Sequence, residues 1–499
     1  MRPPTAVLAA ALLCTVVPVE AQTAGPVPDQ LTLDEAVAIA RQHNPTFLQT
    51  RNDLQVADWD VRQAWGQLLP SATASSSVSW QGAGEQRFGS LTLGDLGFGG
   101  QPSYYFSNYN LGLNWNLSWS SVLAPREAKT RRQAVLATVD QGSTQLVARV
   151  TNAYLEVLRQ REALTLARQQ LENTRYNLRL AQGQLEVGQA TPIDVGQAEV
   201  QVGRSEVGVL QAENALETAR LRLLQELGVE LDQEFEPATT FSLTEPTWTL
   251  EELYEQAQTR NPGLRATRRS KDAADVRVSQ ARGAYYPSLS VSTGLSGFTR
   301  EASSVDAQVA QAQAQVASRV ASCVQTNELY ARLADPLPLE DCTRFAFTDE
   351  QRNAIASQND QFPFDFQGSP PSVSLTVSVP LFQGLTRQRS LEAAQVEQDD
   401  RAHQLRADEL ALRADLRVEL ATVRTAYQSA LLEERNRDLA QRQLQLARDR
   451  YQLGVITFVE LVDAQTVLAQ AERDRTAAVF IYHDAVTRLE SLVGVPLRI

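Results

Sequence analysis

Apolar and polar residues alternate one for one along Asn110–Ser120. Leu111, Leu113, Trp115, Leu117 and Trp119 point one way, and Asn110, Gly112, Asn114, Asn116, Ser118 and Ser120 the other. Ser372–Leu381 repeats the pattern, with Val373, Leu375, Val377, Val379 and Leu381 against Ser372, Ser374, Thr376 and Ser378. Ser71–Trp80 and Ser288–Leu295 alternate more weakly. A period of two predicts strands over about 71–80, 110–120, 288–297 and 372–381. Between these stretches the period lengthens. Val150, Val157, Leu164, Leu171, Leu178 and Leu185 recur every seventh residue, as do Leu432, Leu439, Leu446 and Leu453. Strict sevens in segments rich in Ala, Leu, Gln, Arg and Glu predict coiled-coil helices. Their spans are about 125–187, 192–227, 386–453 and 458–493. Gly188 and Gly454 act as helix stops; Thr191, Pro192 and Thr457 suit new helix starts, so each helix pair closes as a tight hairpin. A helix of ~60 residues is ~90 Å long, too long for a compact globular domain.

The chain is written twice. Leu31-Thr32-Leu33-Asp34-Glu35-Ala36 pairs with Trp248-Thr249-Leu250-Glu251-Glu252-Leu253, Asn44-Pro45 with Asn261-Pro262, and Val61–Ser71 with Val278–Ser288, all 217 positions apart. Leu111–Ser120 pairs with Val373–Phe382 at 262 positions. Gly188-x-x-Thr191 pairs with Gly454-x-x-Thr457, and Gly228-Val229 with Gly494-Val495, at 266. Such ordered self-similarity marks two structural repeats, 22–247 and 248–499. The jump of 45 positions places an insertion at about 299–371 in the second repeat, with a short helix expected over Ala307–Ala321.

Composition narrows the setting. The formal net charge of −13 argues against a nucleic-acid partner, which needs a basic face. Arg2, the apolar run Ala6–Val17 and Val19-Glu20-Ala21 read as an export signal over 1–21. Leu13 stands where a lipidated Cys14 would need a small residue, so lipidation is not expected. Cys323 and Cys342 lie inside the insertion, and in an oxidising compartment they are expected to form a disulfide. No later apolar run approaches the ~20 residues of a membrane-spanning helix. His43, His403 and His483 have no metal-type spacing. Gly82-Ala83-Gly84 and Gly97-Phe98-Gly99-Gly100 lie between two expected strands, with no phosphate-binding helix after them. Neither an enzyme nor a cofactor is expected.

An exported chain without such a helix is periplasmic, secreted or a β-barrel. Strands of about ten residues with one apolar and one small polar face fit a barrel wall, although a soluble sandwich strand alternates too. Four strands cannot close a bacterial barrel, whose minimum is about eight, so copies must assemble. Two copies would reach that minimum; a wide lumen favours three or more.

The set of landmarks resembles the TolC-like outer-membrane efflux and secretion channels. The carriers are Leu31–Ala36, both Asn-Pro pairs, both Pro-Ser strand starts, Val379-Pro380-Leu381-Phe382-Gln383-Gly384, and Tyr451-Gln452-Leu453-Gly454 leading to Asp463-Ala464-Gln465. The family often has Pro where Ser118 stands, while Pro380 keeps it in the second repeat. The resemblance implies an α+β membrane protein whose homotrimer forms a 12-stranded outer-membrane β-barrel continuous with a periplasmic α-helical barrel. It also implies a periplasmic adaptor and an inner-membrane pump as partners, docking at the helical-tip turns Gly188, Thr191, Pro192, Gly454 and Thr457. By the same resemblance, Glu460 and Asp463 would form an acidic pore ring, its crowded charges raising some pKa values and favouring cations. Asp194 and Tyr451 would form a hydrogen-bonded tip latch, with the apolar Ile193 and Ile456 where some members have a further polar latch. The alternative reading is a periplasmic coiled-coil scaffold or adaptor without a pore.

Overall fold

A computed structural model describes residues 27–84, 87–88, 91–92, 102–335 and 337–498. The export signal at 1–21, Cys14 and Gly97-Phe98-Gly99-Gly100 lie outside the described residues. The longer elements are, in chain order, α1 (Leu33–His43), α2 (Pro45–Gly66), β1 (Ser71–Gln81), β2 (Tyr104–Leu117), α3 (Trp119–Glu186) and α4 (Pro192–Leu227). There follow α5 (Leu250–Arg260), α6 (Pro262–Arg282), β3 (Ser288–Ala302), α7 (Asp306–Ala331), α8 (Asp349–Asn359), β4 (Ser372–Ser378), α9 (Thr386–Gln452) and α10 (Phe458–Val493). Contacts divide the chain into two compact units. One holds residues up to Asp60, Ala128–Val276 and Gln395–Ile499; the other holds Val61–Glu127 and Arg277–Ala394.

In the second of these units, β1, β2, β3 and β4 form an antiparallel sheet in that order. The register aligns the alternation across strands. Leu113 pairs with Ala72 and Thr293, Trp115 with Val291, and Leu289 and Val291 with Val377 and Leu375. One face is therefore Ala, Val, Leu and Trp, interrupted by Thr293, and the other is mainly Ser, Asn and Thr. On the polar face Ser292 and Ser374 share a hydroxyl hydrogen bond of 2.6 Å, and the Ser77 hydroxyl donates to Asn108 Oδ1 at 3.1 Å. Among the described residues no helix is laid over the apolar face of β4, where Val373, Leu375 and Val377 are all exposed.

Three strand ends depart from the periodicity. β2 stops at Leu117 because Ser118 caps the next helix: its hydroxyl accepts from Ser121 N at 3.1 Å, so Trp119 begins α3 and Pro125 falls inside it. β4 stops at Ser378, because Pro380 lacks the N–H a ladder needs. β3 runs on to Ala302, into the expected insertion, where Asn359 pairs with both the N–H and the carbonyl of Ala302 at 2.7 and 2.8 Å. The insertion helix α7 is longer than the expected 307–321 and ends at Ala331. Cys323 on α7 is joined to Cys342, and Asn327 bonds the backbone of Glu340 in both directions beside the bridge.

The other unit contains three apolar cores. The first is built from α1, α3 and α4 around Leu146, Val150, Tyr154, Leu223 and Leu227. The second is built from α5, α9 and α10 around Leu416, Leu420, Val423 and Leu489. Each fully buried Leu contributes about 2 kcal/mol. The short helices that precede the strands in each repeat, α1–α2 and α5–α6, were not among the helices expected from the periodicity. Thr32 with Glu35 and Thr249 with Glu252 form matching capping boxes.

The same duplication builds a junction in each repeat. Asn44 Oδ1 accepts from Phe47 N at 2.9 Å while its Nδ2 donates to the Glu226 carbonyl at 2.8 Å. Asn261 repeats both bonds, to Leu264 N at 2.6 Å and the Leu492 carbonyl at 2.7 Å. Gly228 and Gly494 end α4 and α10 in the left-handed region against these Asn-Pro corners. Thus the Asn-Pro and Gly-Val landmarks are two halves of one contact.

The sevenfold leucines divide into two groups. Val150, Val157 and Leu164 are core residues. Leu432, Leu439, Leu446 and Leu453 are instead 54%, 54%, 61% and 77% exposed, so they form no seam within the chain. The buried face of α9 runs through Leu412, Leu416, Leu420, Val423 and Ala430. A straight helix drifts from a strict seven, and here packing selects the 3-4 series that faces α5 and α10.

Candidate functional site: the helical tips

Both hairpin turns use one chemistry. Gly188 and Gly454 lie at φ 74° and 71°, and the N–H groups after them, Gln189 and Val455, return to the Gln184 and Arg450 carbonyls at 2.8 and 2.9 Å. Thr191 and Thr457 then cap α4 and α10, Pro192 occupying the first turn of α4. The Asp194 carboxylate accepts from the Thr191 N–H and hydroxyl, both at 2.8 Å. Glu460 accepts from the Thr457 N–H and hydroxyl at 2.7 and 3.0 Å. These bonds hold the Glu460 carboxyl below its ordinary value. Within one chain Glu460 is a capping residue, whereas Asp463, one turn on, is exposed and makes no such cap.

The expected Asp194–Tyr451 hydrogen bond is not made within the chain. Tyr451 is buried and its hydroxyl has no partner among the described residues, while the Asp194 cap uses one carboxylate oxygen, Oδ2. Burial first, and the nearby Asp194 charge second, raise the Tyr451 pKa. The two hairpins are joined instead by groups that the sequence pattern did not single out. Asn177 Nδ2 donates to Gln465 Oε1 at 2.6 Å, Gln184 Nε2 to the Tyr451 carbonyl at 3.0 Å, and Arg448 to Asn173 Oδ1 at 2.9 Å. Thr174, Asn177, Ala181 and Gln184 are the buried row of α3 here, beside the half-buried Leu178 and Leu185. Their 3-4-3 spacing was the available signal: polar residues on a seam fix register. Around them Ala198, Leu444, Phe458, Leu461, Ala464 and Leu468 close an apolar core to which Ile456 adds, while Ile193 faces outward.

The cap has a measurable weight. Thr457→Ala is expected to lower stability by about 1 kcal/mol, and Glu460→Gln by less, since Gln keeps the box. Hydrogen exchange confined to the first turn of α10 would read it; equal exchange in Thr457→Ala and the parent would contradict the capping role.

Outside these tips, among the described residues, no helix is long and apolar enough to cross a membrane, and no cluster of His, Cys, Asp and Glu is placed to hold a metal ion.

Known proteins share this architecture. TolC of Vibrio cholerae serotype O1 is 29% identical over 188 residues, 38% of this chain and 42% of that protein. The outer membrane efflux protein BepC of Brucella suis biovar 1 is 24% identical over 275 residues, 55% of each. The chain thus spans about half the length of the curated relatives it matches. The solved Campylobacter jejuni CmeC outer membrane channel superposes with a TM-score of 0.68 at 12% identity, covering 96% of this chain and 90% of that one. The family model described as outer membrane efflux protein matches residues 36–229 and 351–495, and the chain belongs to that family.

Proposed function

We propose that this outer-membrane protein is the passive exit duct of a tripartite efflux or type I secretion system, three copies forming one channel. The observation that carries the reading is the sheet. Its apolar face is bare on β4, its polar face is lined mainly by Ser, Asn and Thr, and among the described residues its outer edges β1 and β4 pair with no further long strand. A sheet in lipid must close, because unpaired backbone groups there are too costly. Three copies supply enough strands for a lumen.

The helices support the same assembly. α3 and α9 hold 68 and 67 residues, each about 100 Å long by rise alone. Two exposed sevenfold stripes, Leu432–Leu453 on α9 and Ile193, Val200 and Val207 on α4, offer coiled-coil seams to neighbouring copies. At the turns, Gly188, Thr191, Pro192, Gly454 and Thr457 would meet a periplasmic adaptor and, through it, an inner-membrane pump that supplies the energy. Asp463 is the acid free to line the pore, and Glu460 stands beside it in the ring. The chain itself performs no catalysis and needs no cofactor.

Conductance in a planar bilayer tests this. The detergent-purified protein should give a small cation-selective conductance, and Asp463→Asn should lower that selectivity several-fold. Unchanged selectivity in Asp463→Asn would remove the acid from the gate. A protein extracted without detergent and forming no pore would overturn the duct and leave the periplasmic scaffold.

A further inference from the structure

We propose that Val379–Leu385 is a preformed clasp that seats against Trp65 and Leu69 of a second copy of this chain. The inference rests on the assembly proposed above and names the side chains that lock its strand-to-helix end.

Strand direction brings the two parts to one end of the sheet. Ser71, which opens β1, pairs with Asn114; Leu117 pairs with Leu289; Ser288 pairs with Ser378, which ends β4. Just before β1, Trp65 and Leu69 are 61% and 68% exposed. Just after β4, Val379, Leu381, Phe382 and Leu385 are 55%, 89%, 75% and 61% exposed. Pairing β4 of one copy with β1 of the next sets those strands ~4.8 Å apart, within side-chain reach at this end.

Both parts are held from inside. The buried Arg387 donates through Nη2 to the Leu381 carbonyl at 2.9 Å, its guanidinium 5.0 Å above the Tyr285 ring. Gly384 and Leu385 then turn the chain at φ 59° and 64°, Leu385 being the non-glycine residue with positive φ among those described. Such a conformation persists where surroundings enforce it, yet the Leu385 side chain faces outward. On the receiving side, Trp115 Nε1 donates to the Leu68 carbonyl at 2.9 Å and pins the segment that presents Leu69.

The first repeat shows that this shape is not demanded by the element itself. There the matching residues are wound into α3 from Trp119 onward, with Ser118 where Pro380 stands. Only the repeat whose strand lies at the free edge leaves these residues unwound and apolar. That continuity with the unpaired edge favours a second copy over lipid as the occupant.

The test places a photo-crosslinking benzoylphenylalanine at the position of Phe382 in the full chain, irradiated in membranes. The expected product is a two-chain adduct mapped to the peptide holding Trp65 and Leu69. Adducts only to lipid, or only within one chain, in a protein that native mass spectrometry still finds trimeric, would overturn the clasp and leave the assembly standing. A parent protein that is not trimeric would overturn both. Charge exchange supplies the second arm: Phe382→Asp and Leu69→Arg should each weaken the trimer roughly tenfold, and the pair together should recover most of it. Failure of the pair to recover overturns the clasp.

Discussion

Gly228→Ala and Gly494→Ala are each expected to destabilise the protein by about 3 kcal/mol or more. Both glycines sit in the left-handed region, at φ 74° and 83°, where an L side chain costs about 1–2 kcal/mol. Both also lie against backbone. A methyl at 228 would strike the His43 carbonyl and come within 2.9 Å of Asn44 Cα; one at 494 would come within 2.6 Å of the Arg260 oxygen. Backbone cannot swing aside as a flexible side chain can, so relief requires prising the Asn-Pro corner from the helix end, with loss of the Asn44 and Asn261 bonds to Glu226 and Leu492. Gly188 and Gly454 provide the control. Their φ values of 74° and 71° are similar, but a methyl there would meet no atom within 4 Å, so Ala should cost only the conformational part, about 1 kcal/mol. Unfolding followed by circular dichroism at 222 nm would compare the four. Equal losses at 188 and 228 would show that the junction tolerates the methyl.

Acidification between pH 6.5 and 4 is expected to remove about 3 kcal/mol of stability through one residue, His483. Its side chain is 2% exposed, with Phe241 and Tyr482 rings 5.3 and 5.1 Å away, and Arg498 donates to its carbonyl at 2.6 Å. Burial first, and the Arg498 charge second, lower its pKa from 6.5 to about 4. The folded state therefore keeps the imidazole neutral over a range where the unfolded chain already binds the proton. The stabilisation is complete above pH 6.5, declines as pH falls, and is lost once the folded group also titrates near 4. Substituting His483→Phe should flatten that slope, whatever it does to stability at neutral pH. A slope unchanged by the substitution would place the acid sensitivity elsewhere.

The landmarks at the tips and junctions were legible because they are local chemistry. A Gly that ends a helix, a Thr or Pro that starts the next and an Asn before a Pro each act within a few residues, and their duplication made them stand out. The acids proposed for the gate were only partly legible. Glu460 and Asp463 share a helix face, but the sequence does not say that Thr457 takes the Glu460 carboxylate. Asp194 likewise gives its Oδ2 to Thr191, and no bond to Tyr451 is made within the chain. Each capping box uses one oxygen of a carboxylate that a gate or latch would also use.

The chain's own alternation of apolar and polar residues determined the strands and the long helices, because periods of two and seven act along a single element, and its duplicated landmarks carried the repeats and the family resemblance. Tertiary packing decided what no single element contains. It made the Asn-Pro and Gly-Val pairs one junction, chose Thr174, Asn177 and Gln184 rather than the leucines as the buried row near the tips, and left Leu432–Leu453 facing out. The physical reason is that a side chain's burial depends on what lies opposite it, and helices that are amphipathic on more than one face can satisfy the same sequence in several ways until their neighbours are in place.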